Sequence, residues 1–458
     1  MPHKFSNLLL RFTASLPLIF WSVASYPASM NADSYIVWQE AKNNIFSNWH
    51  PIAYVLYIDF WQKFGDLPVL PMIGQVVIFA ISTVYFIGSF PSISFRMKCF
   101  IMFCFTSIPS VGIFTTTLSK DSIFISTFIL ATGALVRLRK DSTNRTFTIF
   151  LVAMLLTTIL RWNGIIISLF LLLLYAYLEH RRNNSGSLSR IFMASGAYLV
   201  GVILLFNPLL GENNGGQSLQ FSGKMIDVAY VLLVKPSAFS DDELAIIEDV
   251  APISSWANSQ LNCDNAIMPL IWGVFTMHPG AAEKIIIHQD ELETIWQRHL
   301  VTDTQVVVSG RLCRSAALIS AELPTSPIIF YPSSSPLLEY LGLDFPPLVK
   351  DQISIQERIS RYWNASWMGR FFSQPINYVV PLIMTFVWLR YKKASVESAI
   401  IVAIASGSVV LSLFIGATGI EQRYLLPATF VIFLYLLTQL TSVLSRLTKF
   451  RKKPKVDS

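Results

Sequence analysis

The chain has 458 residues, 53% of them hydrophobic and 14% charged, with a mean hydropathy of +0.51. A soluble chain carries about 25% charged residues, so this composition argues against an ordinary water-soluble protein. The formal charge of +7 lies in short basic segments between apolar stretches, the pattern of membrane topology rather than of a nucleic-acid surface.

In chain order, apolar segments cover residues 10–27, 68–90, 99–117, 122–137, 147–160, 164–179, 191–209, 376–391, 397–417 and 424–444. A bilayer span needs about 20 mostly apolar residues. The ten segments predict an all-α polytopic membrane protein, with 122–137 and 147–160 the least complete. The first segment also has the form of a signal peptide, with Lys4 and Arg11 before it and small residues from Ser25 to Ser29. A retained anchor is preferred because the spans that follow then keep a coherent orientation. With the N-terminus inside, inner segments around Arg96, Arg137 to Arg145, Arg181 to Arg190, Arg390 to Lys393 and the tail from Arg446 join Lys4 and Arg11. Together these hold 20 of the 35 basic residues. Short outer segments hold only Lys42, Lys63, Lys120, Arg161 and Arg423. Both termini are therefore expected in the cytoplasm, and the expected location is a bacterial inner membrane. The domain reading is a membrane module over 1–209, a large outer loop over 210–375, and a three-span module with a basic tail over 376–458.

The first outer loop, 27–67, carries the most chemistry. Asn31 or Asp33 opens a short helix, with Tyr35, Val37 and Trp38 as its apolar contacts. Asp33 and Glu40 are seven apart and share one helical face. Trp49-His50-Pro51 then breaks the chain, and an amphipathic run from Ile52 to Phe64 ends at Gly65. Such helices lie in the membrane interface. Taken alone, Asp33 is a helix cap with a solvated carboxylate. His50 reads first as a turn residue beside Pro51.

Farther along, Thr117-Leu118-Ser119-Lys120-Asp121 stands at the outer end of the fourth span, Arg161-Trp162-Asn163-Gly164 turns between the fifth and sixth, and Gly419 to Pro427 enters the last. Asp121 reads equally as a helix-dipole residue or a site residue. A lone outer cation such as Lys120, Arg161 or Arg423 ordinarily snorkels to headgroups. Three in one cavity make a phosphate clamp.

The large loop has 18 acidic and 10 basic residues, a formal charge of −8. Asp241–Val250, behind a Ser-Asp-Asp start, and Ile353–Trp363 read as helices, so the segment is expected to be a folded cap. Cys263 and Cys313 both fall in it and can pair in an oxidising space. Cys99 and Cys104 lie in an apolar stretch, where small packed hydrophobes are the ordinary reading.

An acidic residue after the first span, then His-Pro, an interfacial helix and Phe-Gly before the second, resembles the first outer loop of GT-C glycosyltransferases. The Arg423-Tyr424-Leu425-Leu426-Pro427 element resembles one common in the same family. Loop placement and size look most like bacterial O-antigen-modifying glucosyltransferases; unlike protein mannosyltransferases, which pair two acids in the first loop, Asp33 stands alone. The resemblance implies a GT-C-like fold and transfer of a sugar from a polyprenyl-phosphate donor to a glycan or lipid-linked acceptor at the outer face, with inversion. It implies Asp33 as catalytic base, with Glu40 as the fallback, and a second catalytic acid at Asp121. Substrate binding then falls to Glu40, His50, Lys120, Arg161 and Arg423. No cofactor is implied, with a divalent cation left open. The expected partners are the lipid-linked donor, the acceptor and the bilayer, with no nucleic acid. An O-antigen or capsule polymerase is the first rival, though its outer loops are arginine-rich whereas this one is acidic. A non-enzymatic transporter or flippase is the second.

Overall fold

The computed structural model describes residues 2–30, 32–44, 50–182, 187–206, 217–258, 280–319, 396–416 and 425–451. Asn31, Trp49, Cys263, Arg423, the 376–391 segment and the Ile353–Trp363 helix lie outside them. Helix α1 (Pro2–Ala24) leads to the two-residue strand β1 (Ser29–Met30), then to α2 (Ala32–Asn43) and α3 (Ile52–Gln62). After α4 (Val69–Gly88) come α5 (Phe95–Ser107), α6 (Pro109–Thr116), β2 (Thr117–Leu118) and α7 (Lys120–Leu138). The helices α8 (Asn144–Ile159), α9 (Gly164–Arg182) and α10 (Ser187–Phe206) follow, and Glu397–Gly416 and Leu426–Arg451 share the same apolar core.

Among the described residues, four helices are long and apolar enough to cross a membrane: Val69–Gly88, Lys120–Leu138, Gly164–Arg182 and Leu188–Leu205. The bent α5–α6 pair has the form of a broken span or a re-entrant loop, and counted as one span it makes a fifth. Shorter apolar stretches occupy Leu10–Ala24, Asn144–Ile159, Glu397–Ser412 and Leu426–Thr441. Their outward faces are apolar. On α4, Ile73, Val77, Ile81 and Val84 are exposed at helical spacing, while Met72, Gln75, Phe79 and Phe86 point inward. On α1 the exposed stripe is Phe12, Leu16, Ile19 and Val23. Stripes this continuous do not suit water and mark a surface made for lipid or a partner.

The central helix is α7, buried along nearly its whole length and packed on α4, α8 and Leu426–Arg451. Small residues allow this. A Cβ on Gly133 would come within 2.9 Å of the Phe86 backbone, so glycine lets α4 and α7 approach closely. The buried hydroxyls of Ser126 and Thr132 donate one turn back, to Ser122 O (2.7 Å) and Phe128 O (2.9 Å).

Residues 99–117 read from sequence as one continuous span. The structure divides them at Ile108, where α5 and α6 meet at a bend of 76°. Pro109 lacks an amide proton and forces Ile108 out of the helical region, to φ −66 and ψ 122. The Trp21 indole donates to the Thr106 carbonyl beside the break, at 3.1 Å.

Residues 217–258 and 280–319 build a second core around Ile226, Ala229, Ile247, Trp256, Leu292 and Val307. The expected helix Asp241–Val250 is present, with a reciprocal capping box between Ser240 and Glu243. Fully buried Asp227 receives Arg311 at 2.6 Å and the Trp296 indole at 3.2 Å. Cys313 is disulfide-bonded, and Cys99 and Cys104 are free thiols. Hydrogen bonds from Lys235, His299 and Thr302 hold the Asp303 carboxyl well below its usual 3.8, and Lys224 lowers Glu293. Each folded value lies below the unfolded one. The stabilisation is therefore complete above the unfolded value and is lost as pH falls through the folded one. Acidifying the intact protein in detergent below about pH 4 is expected to expose this second core to protease and to Trp256 quenching. Asp303→Asn should flatten that dependence; an unaltered acid transition in this variant would show the triad to be irrelevant.

Candidate functional site

The site begins at the first turn of α7. Ser119 caps the helix by accepting the Asp121 amide at 3.1 Å. The approach to it hangs on Gln75 of α4, a buried amide that donates to Thr115 O and Thr117 O, both at 2.7 Å. Gln75 Oε1 also accepts the Ser119 amide at 3.5 Å. Replacing Gln75 by Leu removes the side-chain partner of Thr115 O and of the Ser119 amide, at a cost of about 1–3 kcal/mol each, while Thr117 O keeps the Ser122 hydroxyl at 3.2 Å. The expected result is a Tm lower by several degrees in detergent; an unchanged Tm would mean the turn needs no such anchor.

Strand β2 pairs in parallel with β1, Ser29 opposite Thr117 and Met30 opposite Leu118. The Ser34 hydroxyl donates to Leu118 O, and the Ser25 and Thr116 hydroxyls meet at 2.7 Å. This short clasp sets the first turn of α2 beside the first turn of α7. As a result Asp33 and Lys120, 87 positions apart, lie at 3.5 Å.

The next residue, Asp121, faces a second cation. Arg161 reaches it at 2.6 Å from the turn between α8 and α9 and lies over the Phe124 ring at 5.8 Å. That turn is tight. A Cβ on Gly164 would meet the Thr157 carbonyl at 2.1 Å, so glycine is required there. The two carboxylates differ in access: the side chain of Asp121 is 0% exposed and that of Asp33 is 18% exposed.

Glu40 sits two helical turns beyond Asp33 on α2, buried, and its Oε2 lies 3.3 Å from His50 Nδ1. His50 precedes Pro51, the residue that opens α3. Burial lowers the His50 pKa, as does nearby Lys120, while Glu40 and Asp33 oppose the change. The neutral ring donates through Nδ1 to Glu40, a tautomer assigned from geometry. Tyr54, in the first turn of α3, is raised well above the usual tyrosine value by burial, then by Tyr57, Asp121 and Asp33. Tyr54 therefore lies within the field of both acid–base pairs. Among the described residues, His50 Nε2 and Tyr54 Oη have no hydrogen-bond partner.

Six of the seven residues singled out from the sequence, Asp33, Glu40, His50, Lys120, Asp121 and Arg161, thus gather at one end of the bundle. The seventh, Arg423, lies outside the described residues. The cations are not a bare clamp: Lys120 and Arg161 each face a carboxylate. Sequence reasoning missed Gln75, whose signal is a lone amide in an apolar span, and Tyr54, one of several aromatics in an amphipathic run. Among the described residues, no group of three or more His, Cys, Asp or Glu side chains is placed to share a metal ion. No protein-family model, curated protein or solved structure matches the chain.

Proposed function

We propose that the chain is an integral membrane glycosyltransferase of about ten spans that takes its sugar from a polyprenyl phosphate. The observation that carries the reading is the meeting of Asp33–Lys120 with Asp121–Arg161 at one end of an apolar bundle. A polyprenyl-phosphate sugar has a lipid tail for the apolar surface and an anion at the boundary; this site offers cations beside a carboxylate at that boundary. The positive-inside charge pattern supports a site at the extracytoplasmic face, with 210–375 as a cap on the same side. The disulfide at Cys313 agrees with an oxidising space there.

The step balances as a displacement. An acceptor hydroxyl gives its proton to Asp33 as its oxygen bonds to the anomeric carbon. The bond from that carbon to the phosphate oxygen breaks, and the lipid phosphate leaves with the electron pair. Lys120 and Arg161 stabilise its charge, and attack opposite the leaving group inverts the centre. Asp33 is assigned as base because its partial exposure leaves room for an acceptor, whereas Asp121 is sealed against Arg161. The test is transfer of labelled sugar by purified protein from a polyprenyl phosphate, with a nucleotide sugar as control. Product formed from the nucleotide sugar without lipid would refute the reading.

A second reading, transport of a lipid-linked glycan, is favoured by the broken α5–α6 segment, since interrupted helices recur in transporters. It predicts movement of the lipid-linked sugar across a vesicle membrane with no new glycosidic bond.

A further inference from the structure

We infer that His50 and Tyr54 receive hydroxyls of a neutral sugar, while the cations hold the phosphate. The inference rests on the transferase reading and names what this part of the site recognises. His50 and Tyr54 are each only 1% exposed, and each carries a polar atom without a partner among the described residues. Leaving such atoms unmet in a buried place is costly, so water or a ligand is expected to meet them.

The chemistry of the two atoms selects the ligand. With Nδ1–H committed to Glu40, His50 Nε2 is a lone pair and can only accept. Tyr54 keeps its proton and can donate or accept. Both atoms suit hydroxyls, each of which can give one hydrogen bond and take another. Nε2 does not match a phosphate, whose oxygens have no proton for it. Phosphate oxygens suit Lys120 and Arg161 instead. Charge thus divides the site, with anion recognition on α7 and the α8–α9 turn, and sugar recognition on the His50-Pro51 turn and α3. Asp33 is near both parts, because His50 and Tyr54 each sense its charge. A sugar held this way is chosen by the placement of its hydroxyls, and sites built around a buried hydroxyl partner discriminate strongly against ligands lacking it.

The experiment measures binding by the full-length protein in nanodiscs. The probes are a polyprenyl phosphate and its glucose, galactose and mannose esters. Wild type is expected to hold at least one ester about tenfold more tightly than the bare phosphate. Tyr54→Phe removes only the hydroxyl. His50→Asn keeps an amide donor near Glu40 but has no atom where Nε2 stood. Both variants should lose the tenfold increment and bind the bare phosphate as wild type does. Tyr54→Phe should also melt no lower than wild type, since its hydroxyl makes no hydrogen bond among the described residues. Retention of the increment in either variant, a lower melting point for Tyr54→Phe, or no increment in wild type overturns the inference. If wild type binds none of the four lipids, the transferase reading itself fails.

Discussion

Asp33→Asn is expected to lower sugar transfer by about 10²–10⁴-fold, the range for loss of a positioned general base. The amide has the shape of the carboxylate and can still lie against Lys120, so folding should be unchanged. Donor binding should hold or improve, because Lys120 no longer shares its charge with a carboxylate 3.5 Å away. The loss should therefore fall on kcat with KM steady or lower, the pattern of an interaction used only in the transition state. Glu40→Gln is the informative control. It weakens the contact with His50 without touching the assigned base, and its effect should be smaller. If Glu40→Gln abolishes transfer and Asp33→Asn does not, the base is Glu40. Wild-type rates in both variants would leave this loop outside the chemistry.

The first loop was legible in part, and the reasons are physical. The seven-residue spacing of Asp33 and Glu40 set both on one face of α2, and Trp49-His50-Pro51 marked the break before α3, because a proline opposes helix at the residue before it. Which groups would meet was not legible. Asp33 finds Lys120 only because Ser29–Met30 pairs with Thr117–Leu118, and two residues per strand are too short for a period-two pattern. The kink at Ile108 had a local cue in Pro109, but the surrounding apolar run hid it within one span. The same holds for Gln75, which reads as a tolerated polar residue until its carbonyl partners are known. The Ser240–Glu243 capping box was partly readable, since its partners lie three residues apart, although only its Ser-Asp-Asp start stood out. Local chemistry can be read along the chain; the pairing of distant turns depends on packing.

Arg161→Ala should be the most damaging single change to stability, by about 3–5 kcal/mol. Asp121 is fully buried, and the substitution removes a guanidinium 2.6 Å from it. Taken from sequence alone, Arg161 is a donor-binding residue whose loss weakens donor use more than folding. The buried pair adds a folding role, so loss of activity in this variant cannot by itself identify a phosphate ligand. Paired substitution separates the two. A buried ion pair replaced by apolar side chains of similar volume is often neutral or stabilising, because neither charge then needs solvation. Asp121→Leu with Arg161→Met should recover the melting transition lost in Arg161→Ala. It should not recover donor use, because the cation is still missing. Recovery of both would make Arg161 a structural residue and leave Lys120 as the phosphate contact. Recovery of neither would mean that the turn before Gly164 depends on the guanidinium for more than its charge pair. A wild-type melting point in the single variant would remove the ion pair from the account of stability altogether.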